Sequence, residues 1–284
     1  MDFKNPTPYI TVKDHSVSQE TFQLLLDDDL QLLKTHPQPS PENLGRYYES
    51  DDYISHTDGK RTLFEKLYHT VKQKALRDKI KLIESFMPTK GNLLDIGAGT
   101  GDFLVEAINS GWKIMGVEPN EKAKSIAVNK GIRFAEALKS IDDHSQDVIT
   151  MWHVLEHVPD VQKEIIELKR LLKPNGVLII AVPNFKSYDA QYYGIYWAAY
   201  DVPRHLWHFS KTAIKKLFAA QQMDLVKILP MKFDSFYVSL LSEKYKTGRM
   251  NFLSGFLTGL KSNMKAKQNM EYSSHIYVIK NAKN

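Results

Sequence analysis

The chain has 284 residues, 43% hydrophobic and 25% charged, with 38 Lys and Arg against 33 Asp and Glu for a formal charge of +5. That length builds a full-sized core, and so small a charge gives no electrostatic footprint for nucleic acid. With no cysteine, disulfides, zinc–thiolate sites and a thiol nucleophile are excluded, and a reducing compartment is expected.

In chain order, the start MDFKNPTPYITVKDH lacks the sections of a signal peptide. No run of about 18 apolar residues offers a membrane span, so a cytoplasmic protein is expected. The runs YITVKDH, TFQLLL and LQLLK read as short strands, and HPQPSPENLG (His36 to Gly45) reads as a connector. Residues 1–45 are therefore expected to form a β-rich appendage and linker, and 46–284 the main domain. The aromatic–acidic segment YYESDDYISH (Tyr47 to His56) reads as a lid over a ligand. From Thr62 to Phe86, apolar residues recur at helical spacing (Leu63, Leu67, Val71, Ala75, Ile80, Ile83), and Pro88 ends the pattern.

From Gly91 the pattern alternates. Strand-like NLLDIG, WKIMGVE, IRFAE, QDVITMW and GVLIIAVPN are separated by helix-like Asp102–Asn109, Glu121–Asn129 and Val161–Leu172. A helix over Lys211–Gln222 then precedes DLVKILPM, and SSHIYVIK closes the chain. Near-continuous apolar strands alternating with helices predict a doubly wound α/β fold, its parallel sheet buried on both faces. Residues 233–272 form an insertion between the last two strands, expected as a helical cap.

In such a sheet, ligands sit beyond the carboxyl ends of the strands, where the first strand turns into its helix. Gly97, Gly99 and Gly101 supply a turn there that needs positive φ or close backbone approach. Glu118 ends the next strand and is placed to accept hydrogen bonds from ribose hydroxyls. The spacing is G-x-G-x-G, and Asp102 stands where a dinucleotide fingerprint has its third glycine. Asp102 is expected to cap the helix, and its charge would repel a pyrophosphate. The ligand predicted is a nucleoside without phosphates.

LLDIGAGTGDFL, GVEPN, QDVITMWHVLEHVPD and LLKPNGVLIIAVPN, in that order, resemble the four motifs of the class I S-adenosylmethionine-dependent methyltransferases. The resemblance implies a Rossmann-like seven-stranded sheet whose last strand is antiparallel. It implies that Asp95, Gly97, Ala98, Gly99 and Gly101 hold the methionine portion of the donor. Glu118 and Pro119 would sit at the ribose, and Ala135 and Glu136 at the adenine; for Glu136 a solvated surface role is an equal alternative.

Trp152, His153, Glu156 and His157 follow the fourth strand, at the lip of the expected pocket. H-x-x-E-H also matches an inverted zinc-protease motif, but Pro159 interrupts the helix that motif requires. Ubiquinone-type O-methyltransferases carry an E-x-x-E-H group that can hold a divalent cation; here His153 replaces the first acid, and no metal is expected. His153 reads either as a general base or as part of the donor's shelf, with Trp152 beside it. Methyl transfer asks mainly for alignment, worth roughly 7–11 kcal/mol, and an oxygen nucleophile also needs proton removal, which suits a histidine.

The segment DVPRHLWHFS resembles one in the methyltransferase subfamily labelled type 23, where it lies near the acceptor side. It follows six tyrosines and tryptophans between Tyr188 and Tyr200. Tyr200, Arg204 and His205 are taken as acceptor contacts, and His205 as a second candidate base. Residues 1–45 faintly resemble a zinc-ribbon module without its cysteines, so zinc is not expected.

The expected activity is S-adenosylmethionine-dependent methylation of a small molecule, with an oxygen nucleophile on a lipid, quinone, sugar or secondary metabolite preferred. The alternatives are an NAD(P)-dependent oxidoreductase, which the glycine spacing disfavours, and a nucleoside-binding module without catalysis. Around 250–267, basic residues flank Phe252, Leu253, Phe256, Leu257 and Leu260. That pattern suits a membrane surface or an amphiphilic substrate, a cap over the site, or a homodimer face.

Overall fold

The structure, a computed structural model, describes residues 3, 5–48 and 63–282, with residues 41 and 63–71 described by backbone alone. The lid expected over 47–56 lies mostly outside the described residues.

Three strands, β1 (Thr7–Lys13), β2 (Thr21–Asp27) and β3 (Leu32–His36), pair antiparallel in sequence. A single turn, α1 (Pro41–Leu44), follows, and then the long α2 (Leu63–Phe86). The central layer comprises β4 (Asn92–Ile96), α3 (Asp102–Asn109), β5 (Lys113–Val117), α4 (Glu121–Val128), β6 (Gln146–Trp152), α5 (Val161–Leu171) and β7 (Leu172–Pro183). After α6 (Tyr188–Tyr193) and β8 (Trp207–His208) come α7 (Lys211–Ala219) and β9 (Met223–Pro230). The helices α8 (Asp234–Thr247) and α9 (Phe252–Asn269) fill the insertion, and β10 (Ser274–Asn281) closes the chain.

The central sheet runs β5-β4-β6-β7-β10-β9, with β5, β4, β6 and β7 parallel and β10 antiparallel to both of its neighbours. Alternate residues face opposite layers, as the two-residue period requires. Leu93, Val148, Val177, Ile179 and Val278 pack with Leu76, Ile80 and Ile83 of α2 and Phe103 and Leu104 of α3. Leu94, Ile149, Met151, Leu178 and Ile180 pack on the other side with Ile165 and Leu168 of α5 and Ile214 and Phe218 of α7.

Six strands stand where the resemblance implied seven. The run IRFAE contributes one bridge, Gly116 to Phe134, closed by Gly116 N–H to Arg133 O (2.9 Å) and Ala135 N–H to Gly116 O (3.0 Å). The Phe134 ring lies over Gly116, where a Cβ would meet it at 2.8 Å, and pairing does not propagate past that contact.

The N-terminal sheet has the order β1-β2-β3-β8, so its fourth strand comes from the segment DVPRHLWHFS. Thr35 N–H donates to Leu206 O (3.1 Å), and Thr35 Oγ1 to His205 O (2.6 Å). The aromatic run after β7 is the core beneath this sheet: Tyr193, Trp197 and Tyr200 pack with Val12, Phe22, Leu24 and Leu33.

Candidate functional site

The turn from β4 into α3 passes through three left-handed glycines: Gly97 (φ 70°), Gly99 (54°) and Gly101 (79°). A side chain at Gly97 would also put Cβ 2.4 Å from Val154 Cγ2, whereas nothing lies within 4 Å of the corresponding point on Gly99. The turn is stitched to the end of β5. Gly97 N–H and Ala98 N–H both donate to Val117 O (2.8 and 3.2 Å). Gly99 N–H donates to Glu118 Oε2 (2.7 Å), and Asn120 N–H donates to Glu118 Oε1 (2.8 Å). The carboxylate thus fixes the loop as well as facing it, and each oxygen retains a lone pair for a second donor. Pro119 and Glu136 are exposed, and Ala135 is half-buried beneath them against the core.

Gly101, not Asp102, is the helix N-cap, and no side chain caps that end. Asp102 is the first helical residue, and its carboxylate pairs with Lys72 (2.6 Å) and Lys130 (2.5 Å). The expected capping role is replaced by two ion pairs, with the negative charge still at the positive end of the helix dipole.

Beneath the loop, Asp95 is buried and accepts from Thr150 Oγ1 (2.6 Å). Burial pushes its carboxyl up to about 7, against the Thr150 hydrogen bond and the Lys79 charge. Lys79 of α2 was not singled out in the sequence. Its Nζ lies 4.1 Å from the centre of the Trp152 ring, which packs edge-on to Phe103 at 5.7 Å. Burial lowers the Lys79 ammonium to about 8, opposed by the carboxylates of Asp95 and Asp234. Trp152 Nε1 is buried without a hydrogen-bond partner, a donor left unused by the protein itself.

His153 adopts a left-handed backbone (φ 59°) at the end of β6, a conformation costing roughly 1–3 kcal/mol for a non-glycine residue. It directs Nε2 to Asp234 Oδ2 (3.0 Å), the first residue of α8, and Nδ1 to Glu156 Oε1 (3.3 Å). Burial opposes its charge, but Asp234 and then Glu156 raise the imidazole to about 10. Two carboxylates about one ring favour the charged form, which has no lone pair with which to take a proton, and so favour the donor-shelf reading of His153 over that of a general base.

Glu156 is buried and held below the ordinary carboxylate range, burial notwithstanding, chiefly by the hydrogen bond and charge of His153. Its Oε2 has no partner. His157 Nδ1 faces Arg204 O (2.9 Å), and His205 Nδ1 faces Ala199 O (2.9 Å). A carbonyl only accepts, so each Nδ1 faces it with a proton; Tyr48 OH also lies 3.0 Å from His157 Nδ1, and Asp201 Oδ2 lies 3.9 Å from His205 Nε2. Burial, and then His205, lowers His157 to about 4, keeping it neutral. A carboxylate oxygen and two ring nitrogens of Glu156, His157 and His205 lie within 4.8 Å of one another, the group among the described residues that could hold a metal ion.

Two of the expected acceptor contacts are corrected. Arg204 is 8% exposed, and its guanidinium is consumed by Asp201 (Nε, 3.0 Å), Tyr47 O (2.8 Å) and Asp14 Oδ1 (3.3 Å). It rivets the N-terminal sheet to the central layer. Tyr200 is 2% exposed, wedged edge-on between Trp197 (5.0 Å) and His208 (5.5 Å), and it packs in the core.

A family model described as a methyltransferase domain matches residues 68–228. The ubiquinone biosynthesis O-methyltransferase of Vibrio campbellii is 28% identical over 169 residues, covering 55% of this chain and 72% of that protein. Its counterpart in Vibrio atlanticus is 34% identical over 108 residues, covering 34% and 46%. Among solved structures, phosphoethanolamine N-methyltransferase 2 of Haemonchus contortus, in complex with phosphomonomethylethanolamine and S-adenosylhomocysteine, superposes with a TM-score of 0.56 at 13% identity. That match covers 100% of this chain and 71% of that one. Magnesium protoporphyrin IX methyltransferase of Synechocystis, with bound S-adenosylhomocysteine, gives 0.55 at 13% identity, covering 83% and 97%. These structural likenesses carry the fold. With the family model spanning more than half the chain and the glycine turn, Glu118 and reversed β10 in place, the chain belongs to the S-adenosylmethionine-dependent methyltransferases.

Proposed function

We propose that the protein methylates an oxygen nucleophile on a small molecule, using S-adenosylmethionine bound over the Gly97–Gly101 turn. The observation that carries this reading is the Gly99 N–H to Glu118 Oε2 hydrogen bond at 2.7 Å. It sets a carboxylate beside a loop whose middle glycine opens onto space. The donor fits the groups present: Glu118 can accept from ribose hydroxyls, Trp152 Nε1 offers an unused N–H, and the Lys79 ammonium over the Trp152 ring is a cation suited to the donor's carboxylate. When bound, the donor supplies a methyl group on a positively charged sulfur.

The remaining work is done by the chain. The Trp152 and Phe103 rings shield the loop from water and present π faces to positive charge. His153, fixed as a cation, anchors α8 at the lip and orients the Glu156 carboxylate. In its neutral form, with Nδ1–H on Ala199 O, the His205 ring accepts the proton from the acceptor hydroxyl at Nε2, and the Glu156 and Asp201 carboxylates stabilise the imidazolium formed. A second reading is favoured by the unpartnered Glu156 Oε2: the same three groups hold a divalent cation that lowers the acceptor's pKa. Hydride transfer is not favoured, since both the family match and the curated relatives are methyltransferases.

Calorimetric titration with S-adenosylmethionine, S-adenosylhomocysteine and NAD tests the reading. The first two are expected to bind; Glu118→Ala should weaken them by about tenfold or more through loss of a charge-assisted hydrogen bond, and Gly99→Val by putting a β-branched side chain at φ 54° into the open side of the loop. Binding of NAD alone would overturn it.

A further inference from the structure

We propose that the α8–α9 hairpin is a membrane foot that seats its outer face on an anionic lipid surface and turns the lip of the methyl-transfer site toward the bilayer. The hairpin is built inside out. Its helices run antiparallel, with Gly255 against Leu240, Gly259 against Phe236, and Asn263 against Lys232 and Ser235. Apart from Val238, the buried residues are small or polar: Ser235, Ser239, Ser242 and Glu243 on α8, and Gly255, Thr258, Gly259, Ser262 and Ala266 on α9. A Cβ on Gly255 would stand 2.9 Å from Leu240 Cα, and one on Gly259 2.9 Å from Phe236 Cα. Backbone therefore touches backbone, the packing that small residues allow helices in lipid. Hydrogen bonds tie this inner side down: Ser262 Oγ to Asp189 (2.6 Å), Ser254 Oγ to Glu243 (2.7 Å) and Tyr193 OH to Glu243 (3.0 Å).

The outer side is the apolar one. Leu253 is 70% exposed, and Phe252, Phe256, Leu257, Leu260 and Met264 share its stripe at helical spacing. A helix serving only a soluble core turns such a stripe inward, and a contiguous exposed apolar patch marks an interaction surface.

Charge selects the occupant. Residues 244–270 contain five Lys and one Arg and no Asp or Glu. Juxtaposing two copies of this face would set like charges together, whereas anionic headgroups complement a basic rim around an apolar stripe. The chain's own segment 49–62 carries only Tyr53 and Ile54 as large apolar residues, too few to cover it. Among the described residues, no helix is long and apolar enough to cross a membrane, so the hairpin lies in the interface plane. The apolar face reaches the site: Phe233 is exposed beside Asp234, which touches His153. That orientation rests on reading the His153 lip as the methyl-transfer mouth; lipid binding itself does not.

Flotation of the full chain with phosphatidylcholine vesicles, with and without phosphatidylglycerol, tests the proposal. Wild type is expected to float with the anionic vesicles and to be released by salt. Leu253→Ser combined with Leu257→Ser should cut partitioning by about tenfold or more. Lys261→Glu combined with Lys265→Glu should abolish the preference for phosphatidylglycerol. Both variants should retain wild-type donor affinity by calorimetry, which separates failure of the foot from failure of the donor site. Equal flotation of wild type and variants, or no flotation of wild type, would overturn the proposal. So would a dimer in sedimentation velocity that the Leu253/Leu257 variant dissociates.

Discussion

His153 Nε2 lies 3.0 Å from Asp234 Oδ2, joining the end of β6 to the first residue of the helical insertion. The contact makes the insertion part of the site, and with Glu156 on the other ring nitrogen it holds the histidine charged.

The first prediction concerns that charge. In wild type, the His153 ring should show no titration by NMR between pH 6 and 9, because its pKa is raised to about 10. Asp234→Asn removes the larger attraction and should bring the transition down into that window. A wild-type His153 that titrates near pH 6.5 would contradict the clamp.

Asp95 gives a stability prediction with a definite sign. Its folded pKa, about 7, lies above the ordinary aspartate value, so the folded state holds a proton that the unfolded state releases. The contribution is fully present below the unfolded pKa and is lost as pH rises through about 7. Asp95→Asn should therefore gain in Tm relative to wild type as pH rises from 5 to 8. A wild-type-to-variant difference independent of pH would count against it.

Arg204 separates a structural role from an acceptor role. Arg204→Met leaves Asp14 buried without its cation and should cost about 3–5 kcal/mol of stability, measured by denaturant unfolding, with donor affinity unchanged under native conditions. An acceptor-binding role would instead raise KM with stability intact.

The cluster of Glu156, His157 and His205 distinguishes proton transfer from cation binding. Methyl incorporation from labelled donor into a metabolite extract should survive EDTA treatment and fall steeply in His205→Ala. A loss on chelation that Mg²⁺ restores would assign the three groups to a cation.

The strand and helix runs and the glycine turn were legible because each rests on local spacing, whereas the reversed last strand followed only from the family resemblance. The strand runs NLLDIG and GVLIIAVPN alternate sides at every residue, and the helix over 102–109 begins and ends as read. Lys79 left a signal that was passed over: it falls between Leu76, Ile80 and Ile83, on the face that the helix buries. A cation inside an apolar stripe demands an anionic partner. Asp234 and Asp14 left no such signal, because their partners His153 and Arg204 are distant in sequence and only the fold brings them together. Tyr200 and Arg204 were misassigned for the same reason: an aromatic-rich segment reads alike whether it lines a cleft or supports a second sheet.

The borrowing of β8 by the N-terminal sheet has a consequence for how this protein can be cut or recombined. Trp207 and His208 pair with β3 only a few residues beyond His205, whose carbonyl receives Thr35 Oγ1. A fragment starting after the proline-rich connector would lose that edge pairing together with Asp14, one of the two carboxylates that pair with Arg204. The first forty residues are thus not a detachable module, and grafting them onto another enzyme, or replacing them here, would reshape the neighbourhood of His205.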